Sequence, residues 1–244
     1  MILMKARRYV SLISYKTYHF DRIHNYLIFR NFSIIHNTME FVAPAEKEEI
    51  LKKLAEQDAK YPVIQVANAS GEMVPKHFGY GTAGFRTIAA DLERVCFRVG
   101  ILVALRAKLT TLCGLMVTAS HNPAADNGVK VVENSGAMLD QAWEPLAEKL
   151  ANAPDLRAFL EELDASPEKH AYGLQESIFA PSAFAQACFG MDTRDSSPAL
   201  VAAAIAACEI MGVKTCNYGL CTTPQLHWLV SRRHTNPEDA GLYV

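Results

Sequence analysis

The fold is decided by the stretch LCGLMVTASHNPAADNGVKVV, residues 112–132. Apolar runs at 113–118 and 128–132 predict two inner strands, and the polar residues between them predict a loop at the end of a strand. Ser120 lies in this loop, directly after the first strand, where a hydroxyl faces the open edge of a sheet. The stretch therefore predicts a candidate nucleophile presented by a strand-end loop.

Helical and extended patterns alternate on both sides of this stretch. Apolar residues at helical spacing predict helices over 44–57, 89–108, 141–152, 154–164 and 196–211. Shorter runs predict strands ending at Gly190 and near 213–218, whereas prolines and glycines predict a loop over 59–88. This alternation predicts a layered α/β/α domain with a mixed sheet, whose ligands bind at the strand ends.

The charge distribution divides the chain. Residues 1–38 hold six Lys or Arg against the single acid Asp21, and the sequence is acidic from Met39 onward. We expect residues 1–38 to be a basic, aromatic extension outside the fold, and residues 39–231 to form the domain. Residues 232–244 lack periodicity, so we expect a linker or the beginning of a second domain.

Composition restricts the partners and the compartment. A formal net charge of -2 gives no general attraction to nucleic acid or to anionic membranes. The front segment lacks the continuous apolar run of a membrane span. The six cysteines form no C-x-x-C pair, so we expect reduced thiols and a cytoplasmic protein. Nothing in the sequence indicates the oligomeric state.

A glycine-rich motif precedes the first predicted helix of the central region. Gly79–Gly84 matches G-x-G-x-x-G, but no strand directly precedes it and no acid closes a second strand about twenty residues later. A dinucleotide site is therefore excluded. The remaining interpretations are a turn whose N–H groups approach an anion beside Arg86, or a tight turn with Arg86 in a surface ion pair.

Three polar residues, Ser120, His121 and Lys130, lie in or near the predicted loop. Ser120 lacks the flanking glycines of a hydrolase elbow, which argues against acyl transfer. His121 follows it, and the Asn127-Gly128 pair predicts a tight turn that folds Lys130 back beside Ser120. A structural role remains open for each: His121 bonding to loop carbonyls, and Lys130 as a solvated strand residue.

The joint occurrence of Arg86, T-A-S-H-N-P at 118–123 and N-G-x-K at 127–130 resembles the α-D-phosphohexomutases. Similar segments run from about 79 to 230. Those at 80–86, 117–131 and 217–227, the last including a loop at 222–227, resemble the amino-sugar branch. The resemblance implies the first of four domains, with Ser120 as phosphoryl carrier. It also implies Lys130 as general base or acid, His121 as orienting or proton-moving group, and Arg86 beside the serine phosphate.

This resemblance implies a complete reaction and a metal. The resemblance implies that the full-length enzyme interconverts N-acetylglucosamine 6-phosphate and 1-phosphate through a 1,6-bisphosphate, with Mg²⁺ bound partly through the Ser120 phosphate. Two departures are visible, since Met191 stands where the family has arginine and no D-x-D-x-D triplet occurs. We therefore expect an N-terminal fragment that is inactive alone. A silent binding or regulatory remnant and a glucose or mannose phosphohexomutase remain as alternatives.

Overall fold

The computed structural model describes residues 42–81 and 84–236. The expected extension at 1–38 and the last residues of the chain lie outside this description. The helices are α1 Pro44–Asp58, α2 Glu93–Thr110, α3 Glu144–Asn152, α4 Leu156–Ala165, α5 Ser197–Ile210 and α6 Thr223–Thr235. The strands are β1 Gln65–Ala67, β2 Met73–Pro75, β3 Phe85–Ile88, β4 Leu112–Val117, β5 Asp126–Glu133, β6 Gln186–Met191 and β7 Lys214–Leu220. Short 3-10 helices occupy Ala89–Asp91, Gln141–Trp143 and Pro167–Tyr172.

Five of these strands form one sheet in the order β3-β5-β4-β6-β7. β5 pairs antiparallel with both β3 and β4, whereas β4, β6 and β7 are parallel to one another. The predicted mixed sheet and the predicted helices are thus confirmed. The loop predicted over 59–88 is only partly correct, because β1 and β2 form a separate antiparallel hairpin and β3 joins the sheet.

Alternating side chains of β4 pack into two apolar layers, one on each face of the sheet. Cys113, Leu115 and Val117 belong to the main core, together with residues of α2 and α5. Leu112 and Met116 point to the other face and join a smaller apolar cluster with Leu226 and Val230 of α6. Side chains that alternate along a strand stand on opposite faces of its sheet. The layered α/β/α arrangement is therefore confirmed.

The main core is held by close helix packing and by a buried ion pair. A Cβ on Gly100 of α2 would lie 2.4 Å from the backbone oxygen of Ala204 in α5, so only glycine permits this approach. Asp58, at the end of α1, accepts hydrogen bonds from Arg98 and Arg94 of α2. These contacts join α1, α2 and α5 into a rigid support for the sheet.

The helix α6 was missed by the sequence analysis, which treated Thr222–His227 as part of a loop. Thr222 caps the helix, and its side chain and that of Gln225 bond reciprocally to each other's backbone N–H groups. The helix continues to Thr235, so the domain boundary expected after residue 231 falls inside it. In the described ranges, no helix combines the length and the apolar character needed to cross a bilayer.

Candidate active site

The Ser120 loop connects β4 to β5 and is shaped by its own backbone. The N–H of Asn122 donates to the carbonyl of Ala119 at 2.8 Å, and the N–H of Asp126 donates to that of Pro123 at 3.0 Å. The Asn122 amide also donates to the Asp126 carboxylate at 2.9 Å. These turns leave Ser120 and His121 exposed to solvent at the end of the strand, as the sequence predicted.

A single guanidinium group fixes the loop from outside. Arg194 lies just after β6, and its side chain is 13% exposed. The guanidinium donates to four loop carbonyls, those of Ala119, Asn122, Pro123 and Asp126. The Nε atom of Arg194 donates to Asp192 at 3.1 Å. Because these carbonyls belong to both turns, Arg194 determines the conformation in which Ser120 is presented.

A hydrogen-bond chain leads from Ser120 to the half-buried carboxylate of Asp192. The oxygens of Ser120 and Thr118 lie 3.3 Å apart, and the buried Thr118 hydroxyl donates to Asp192 at 2.8 Å. The other carboxylate oxygen of Asp192 accepts from Ser197 at 2.7 Å. Burial alone would raise the pKa of Asp192, but these donors and Arg194 lower it. The lowered pKa favours the ionised carboxylate of Asp192, which supports Ser120 through Thr118.

This polar network continues into β5. The fully buried Asn127 donates through its side-chain amide to the hydroxyls of Ser196 and Ser197, at 2.9 and 3.0 Å. From the sequence, Asn127 was predicted to lie in a turn, and no role was predicted for Asp192 or Arg194. A polar tract at 190–197 was visible, but its partners lie about seventy residues away along the chain.

The approach of Lys130 to Ser120 has a different cause from the predicted one. Asn127 and Gly128 lie inside β5 and form no turn, so that prediction was wrong. A Cβ on Gly128 would lie 2.8 Å from the Thr118 carbonyl and 3.0 Å from that of Phe85. The glycine is required by close strand packing. Lys130 reaches the site because β5 pairs with β4, where it lies opposite Met116.

Arg86 and Lys130 place positive charge on the α6 face of the sheet. Arg86 pairs with Gly128 across β3 and β5, and Lys130 follows two residues later on the same face. Burial of the half-buried Lys130, and secondly the charge of Arg86, lowers the pKa of its amine. A larger share of neutral amine suits a group that must accept a proton.

The glycine-rich motif at 79–84 contributes to the position of Arg86. The N–H of Tyr80 donates to the Glu148 carboxylate, and that of Gly84 donates to the Gly81 carbonyl at 3.1 Å. These two groups therefore have partners and do not form the anion cradle considered above. Gly84 has a φ of +97°, and a Cβ there would lie 2.1 Å from the Val129 carbonyl oxygen. The segment fits β3 against β5 and so positions Arg86.

These residues line one open cleft of about 720 Å³. The strand ends contribute Arg86, Met116, Thr118, Ser120, His121, Lys130, Met191, Asp192 and Thr193, and the other wall is formed by Leu220–Gln225. The structure thus brings all four predicted site residues together. The positive end of the α6 dipole also faces the cleft, which favours a negatively charged ligand. The cleft suits a phosphorylated molecule that also presents an apolar surface, because both cationic and apolar side chains line it.

The residues around Ser120 do not form a metal cage by themselves. Among the residues that the structure describes, no group of three His, Cys, Asp or Glu side chains could hold an ion. Asp192, the carboxylate linked to Ser120, already accepts from Thr118, Ser197 and Arg194. The described residues therefore supply no set of three such side chains for a metal ion.

Known proteins match both the sequence and the fold. Human phosphoacetylglucosamine mutase is 47% identical over 159 residues, which are 64% of this chain and 28% of the human protein. A solved complex of a variant of the Aspergillus fumigatus N-acetylphosphoglucosamine mutase with glucose 1,6-bisphosphate has a TM-score of 0.64 at 34% identity. The structural match covers 80% of this chain and 32% of that chain.

A second Aspergillus fumigatus structure contains GlcNAc-6P and magnesium, and it has a TM-score of 0.60 at 36% identity, with 80% of this chain and 32% of that chain covered. The chain spans about a third of the length of the relatives it matches. The family model for the α/β/α domain I of phosphoglucomutase/phosphomannomutase matches residues 68–157 and 171–244. The chain therefore belongs to the phosphoglucomutase/phosphomannomutase family, of which it contains domain I.

Proposed function

We propose that this chain is the phosphoserine-bearing domain of a phosphoacetylglucosamine mutase, which converts N-acetylglucosamine 6-phosphate to the 1-phosphate through a 1,6-bisphosphate. One observation carries the proposal: the exposed Ser120 hydroxyl lies in a cleft lined by Arg86, His121 and Lys130. The relatives that carry this name favour the amino sugar over glucose or mannose. The product would serve the synthesis of UDP-N-acetylglucosamine.

The proposed step exchanges one phosphorus–oxygen bond for another. A sugar hydroxyl attacks the phosphorus on Ser120, so that a bond to the sugar oxygen forms as the bond to the Ser120 oxygen breaks. The hydroxyl proton passes to the neutral amine of Lys130, and the departing Ser120 oxygen takes a proton from His121 or from solvent. Arg86 stabilises the charge on the transferring oxygens. The reverse step returns a phosphate to Ser120.

Magnesium enters the proposal through the phosphate. The chemistry it would supply is neutralisation of charge on the phosphate oxygens during transfer. The Ser120 phosphate would provide one ligand, and carboxylates from outside the described residues would provide the rest. Thr118, Asp192 and Arg194 hold the Ser120 loop in position, so a phosphate on Ser120 would be presented to the metal without reorganisation of the loop.

The test is transfer of phosphate from a bisphosphate to this chain. The chain is incubated with glucose 1,6-bisphosphate and magnesium, and intact-mass and peptide spectra locate any added phosphoryl group. We expect one group on Ser120, its loss in Ser120→Ala, and its retention in the control Ser135→Ala, which removes an exposed hydroxyl outside the cleft. Phosphate that survives Ser120→Ala contradicts the proposal.

A binding measurement separates the remaining outcomes. Chemical-shift changes in the cleft on addition of the bisphosphate, without transfer, favour the alternative of a silent binding module. If the chain shows no binding of the bisphosphate and no transfer of phosphate, the cleft is not a sugar-phosphate site. We further infer that the 244 residues alone do not isomerise the sugar phosphate, because the family's aspartate triplet is not among them. A coupled assay that detects isomerisation by this chain, and not by Ser120→Ala, would disprove that inference.

A further inference from the structure

A second group of reactive side chains lies on the α6 face of the sheet, outside the cleft. Cys188 of β6 and Cys216 of β7 are register partners in adjacent parallel strands. Cys188 is fully buried, whereas Cys216 is half-buried on the edge strand. Their strands continue from this point towards Met191 and Leu220, which line the cleft. The proposed mechanism uses neither thiol.

A cation and a phenol complete the group. The guanidinium of Arg233, near the end of α6, donates to the Cys216 sulfur at 3.5 Å and to the Tyr218 oxygen at 3.3 Å. Its Nε atom donates to the Gln186 side chain at 2.9 Å, which fixes its orientation. The guanidinium is thus aimed at the sulfur from the helix, while Cys188 and Tyr218 face it from the sheet.

These neighbours make Cys216 the acidic thiol of the group. The hydrogen bond with Cys188, aided by the charge of Arg233 and opposed by burial, lowers the pKa of Cys216 to about 6. The same hydrogen bond, with burial, raises the pKa of Cys188. Burial also raises the pKa values of Cys96, Cys113, Cys208 and Cys221. Cys216 is therefore distinguished from the other five thiols of the chain by its partners.

We propose that Cys216 is an oxidation site for hydrogen peroxide, with Cys188 as the thiol that resolves it into an intramolecular disulfide. Thiolates are the nucleophilic form of cysteine, and a neighbouring cation stabilises them. Sites of this kind carry a second thiol within reach of the first. Arg233 donates to the Cys216 sulfur, and Cys188 is the register partner of Cys216 in the adjacent strand, so both features are present.

The chemistry balances in two steps. The Cys216 thiolate attacks one oxygen of hydrogen peroxide, the O–O bond breaks, and sulfenic acid and hydroxide are formed. The Cys188 thiol then attacks the Cys216 sulfur, its proton leaves with the hydroxyl as water, and the disulfide forms. Adjacent parallel strands lie about 4.8 Å apart, a spacing within the range of Cα separations that disulfides span. Peroxide is reduced to water and two thiols are oxidised.

The first experiment measures alkylation of each cysteine against pH by iodoacetamide and peptide mass spectrometry. Low pKa raises the thiolate fraction but lowers its intrinsic nucleophilicity, so the difference is clearest in mild acid. At pH 6 we expect Cys216 to react about tenfold faster than an ordinary thiol. Cys221 is the internal control, since it is also half-buried but no cation among the described residues bonds to its sulfur.

Matched variants test the role of the cation. Arg233→Gln should move the Cys216 profile to higher pH and slow its reaction at pH 6, whereas Arg232→Gln removes the same charge one residue earlier and should leave the profile unchanged. If Cys216 and Cys221 react alike in the wild-type chain, or if the Arg233 variant matches wild type, the thiol has no special reactivity and the proposal is overturned.

The second experiment follows oxidation directly. Sub-stoichiometric peroxide should give a Cys188–Cys216 disulfide peptide in wild type. In Cys188→Ala, the unresolved sulfenic acid should be trapped on Cys216 by dimedone, and circular dichroism checks that the variant is folded. If Cys188→Ala is unfolded, dimedone is instead present while wild type is oxidised. Dimedone then competes with Cys188 for the sulfenic acid, and label on Cys216 identifies the oxidised residue. Dimedone label on other cysteines, with none on Cys216, contradicts the proposal.

Discussion

The two faces of the central sheet are built for different purposes. On the face towards α2 and α5, the strands present Cys113, Leu115, Val129 and Phe189 to a continuous apolar core. On the face towards α6, a smaller apolar cluster is bordered by Arg86 and Lys130 at one end and by the Cys216 group at the other. Polar chemistry is thus confined to one side of a sheet whose other side supplies stability.

This difference implies that stability and function are separable in this domain. Changes on the core side should alter the free energy of unfolding and leave the chemistry of the folded protein intact. Changes on the α6 side and in the Ser120 loop should have the reverse effect, with smaller energies. The following predictions test that separation in order of expected size.

The largest loss of stability is expected for Asp58→Ala. The Asp58 side chain is 7% exposed and is bonded to Arg98, which is 1% exposed. Removing the carboxylate leaves a buried cation without its counterion, which costs about 3–5 kcal/mol. Urea denaturation measures the effect. The control Glu48→Ala breaks the exposed pair with Arg157 and should cause almost no change. Equal effects in the two variants would contradict the separation.

Acid should reproduce part of the Asp58 effect. Burial alone would raise the pKa of Asp58, but hydrogen bonds from Arg98 and Arg94 outweigh it and hold the pKa below 3.8. A carboxylate whose pKa is depressed on folding stabilises the protein above its unfolded pKa. That contribution is lost as the pH falls through the lower, folded value. Urea titrations below pH 4 should show this loss in wild type, and Asp58→Asn should abolish it.

A smaller loss of stability is expected for Gly100→Val. The added side chain meets the Ala204 backbone, and such overpacking costs about 1–3 kcal/mol as α2 and α5 move apart. Ala202→Val adds two methyl groups to an exposed position of α5 and should cost only the difference in helix propensity, about 0.5 kcal/mol. Thermal unfolding compares the two. Phosphorylation of Ser120 in the folded Gly100 variant should match wild type, and a specific loss there would break the separation.

Arg194→Met should affect the site more than the fold. Four loop carbonyls lose a donor, but they can bond to water once the loop opens, so we expect a loss of about 1–2 kcal/mol. Limited proteolysis should cut the Ser120 loop faster, and the phosphorylation of Ser120 should slow. Arg157→Met, which removes an exposed arginine of α4, is the control. If the loop is cut at the wild-type rate, Arg194 is not what holds it.

The smallest effect is expected for the electrostatic coupling between Arg86 and Lys130. Reductive methylation with ¹³C labels each lysine amine for NMR titration, and Lys130→Arg identifies its signal. The Lys130 midpoint should lie below the ordinary lysine value, and Arg86→Gln should raise it only partly, because burial is the larger cause. Arg157→Gln should leave the midpoint unchanged. If the Lys130 midpoint is the same in wild type and in Arg86→Gln, burial alone lowers the pKa of Lys130.

The sequence predicted the elements whose signals are local. The helix over 196–211 and the strand at 113–118 follow from apolar periodicity, and Ser120 was correctly placed at a strand end. The helix α6 carried an equally local signal, the pair Thr222 and Gln225 with an intervening proline, which a check for capping boxes would have found. That error was one of method.

Other features depend on distant parts of the chain. Asn127-Gly128 has the composition of a tight turn, yet it lies inside β5. Glycine is required there because the Thr118 and Phe85 carbonyls of neighbouring segments leave no room for a Cβ. The support that Asp192 and Arg194 give to Ser120 likewise depends on the pairing of β4 with β6. Neither effect has a signature within a short window of sequence.

The position of Arg194 in the chain has a consequence for synthesis. Arg194 follows Ala119, one of its carbonyl partners, by 75 residues. At ordinary rates of translation, this separation corresponds to roughly 4 to 15 seconds between the emergence of the serine and that of the group that shapes its loop. During that interval the nascent chain carries Ser120 without its native geometry. The Ser120 loop thus acquires its native shape only when the later half of the domain has left the ribosome.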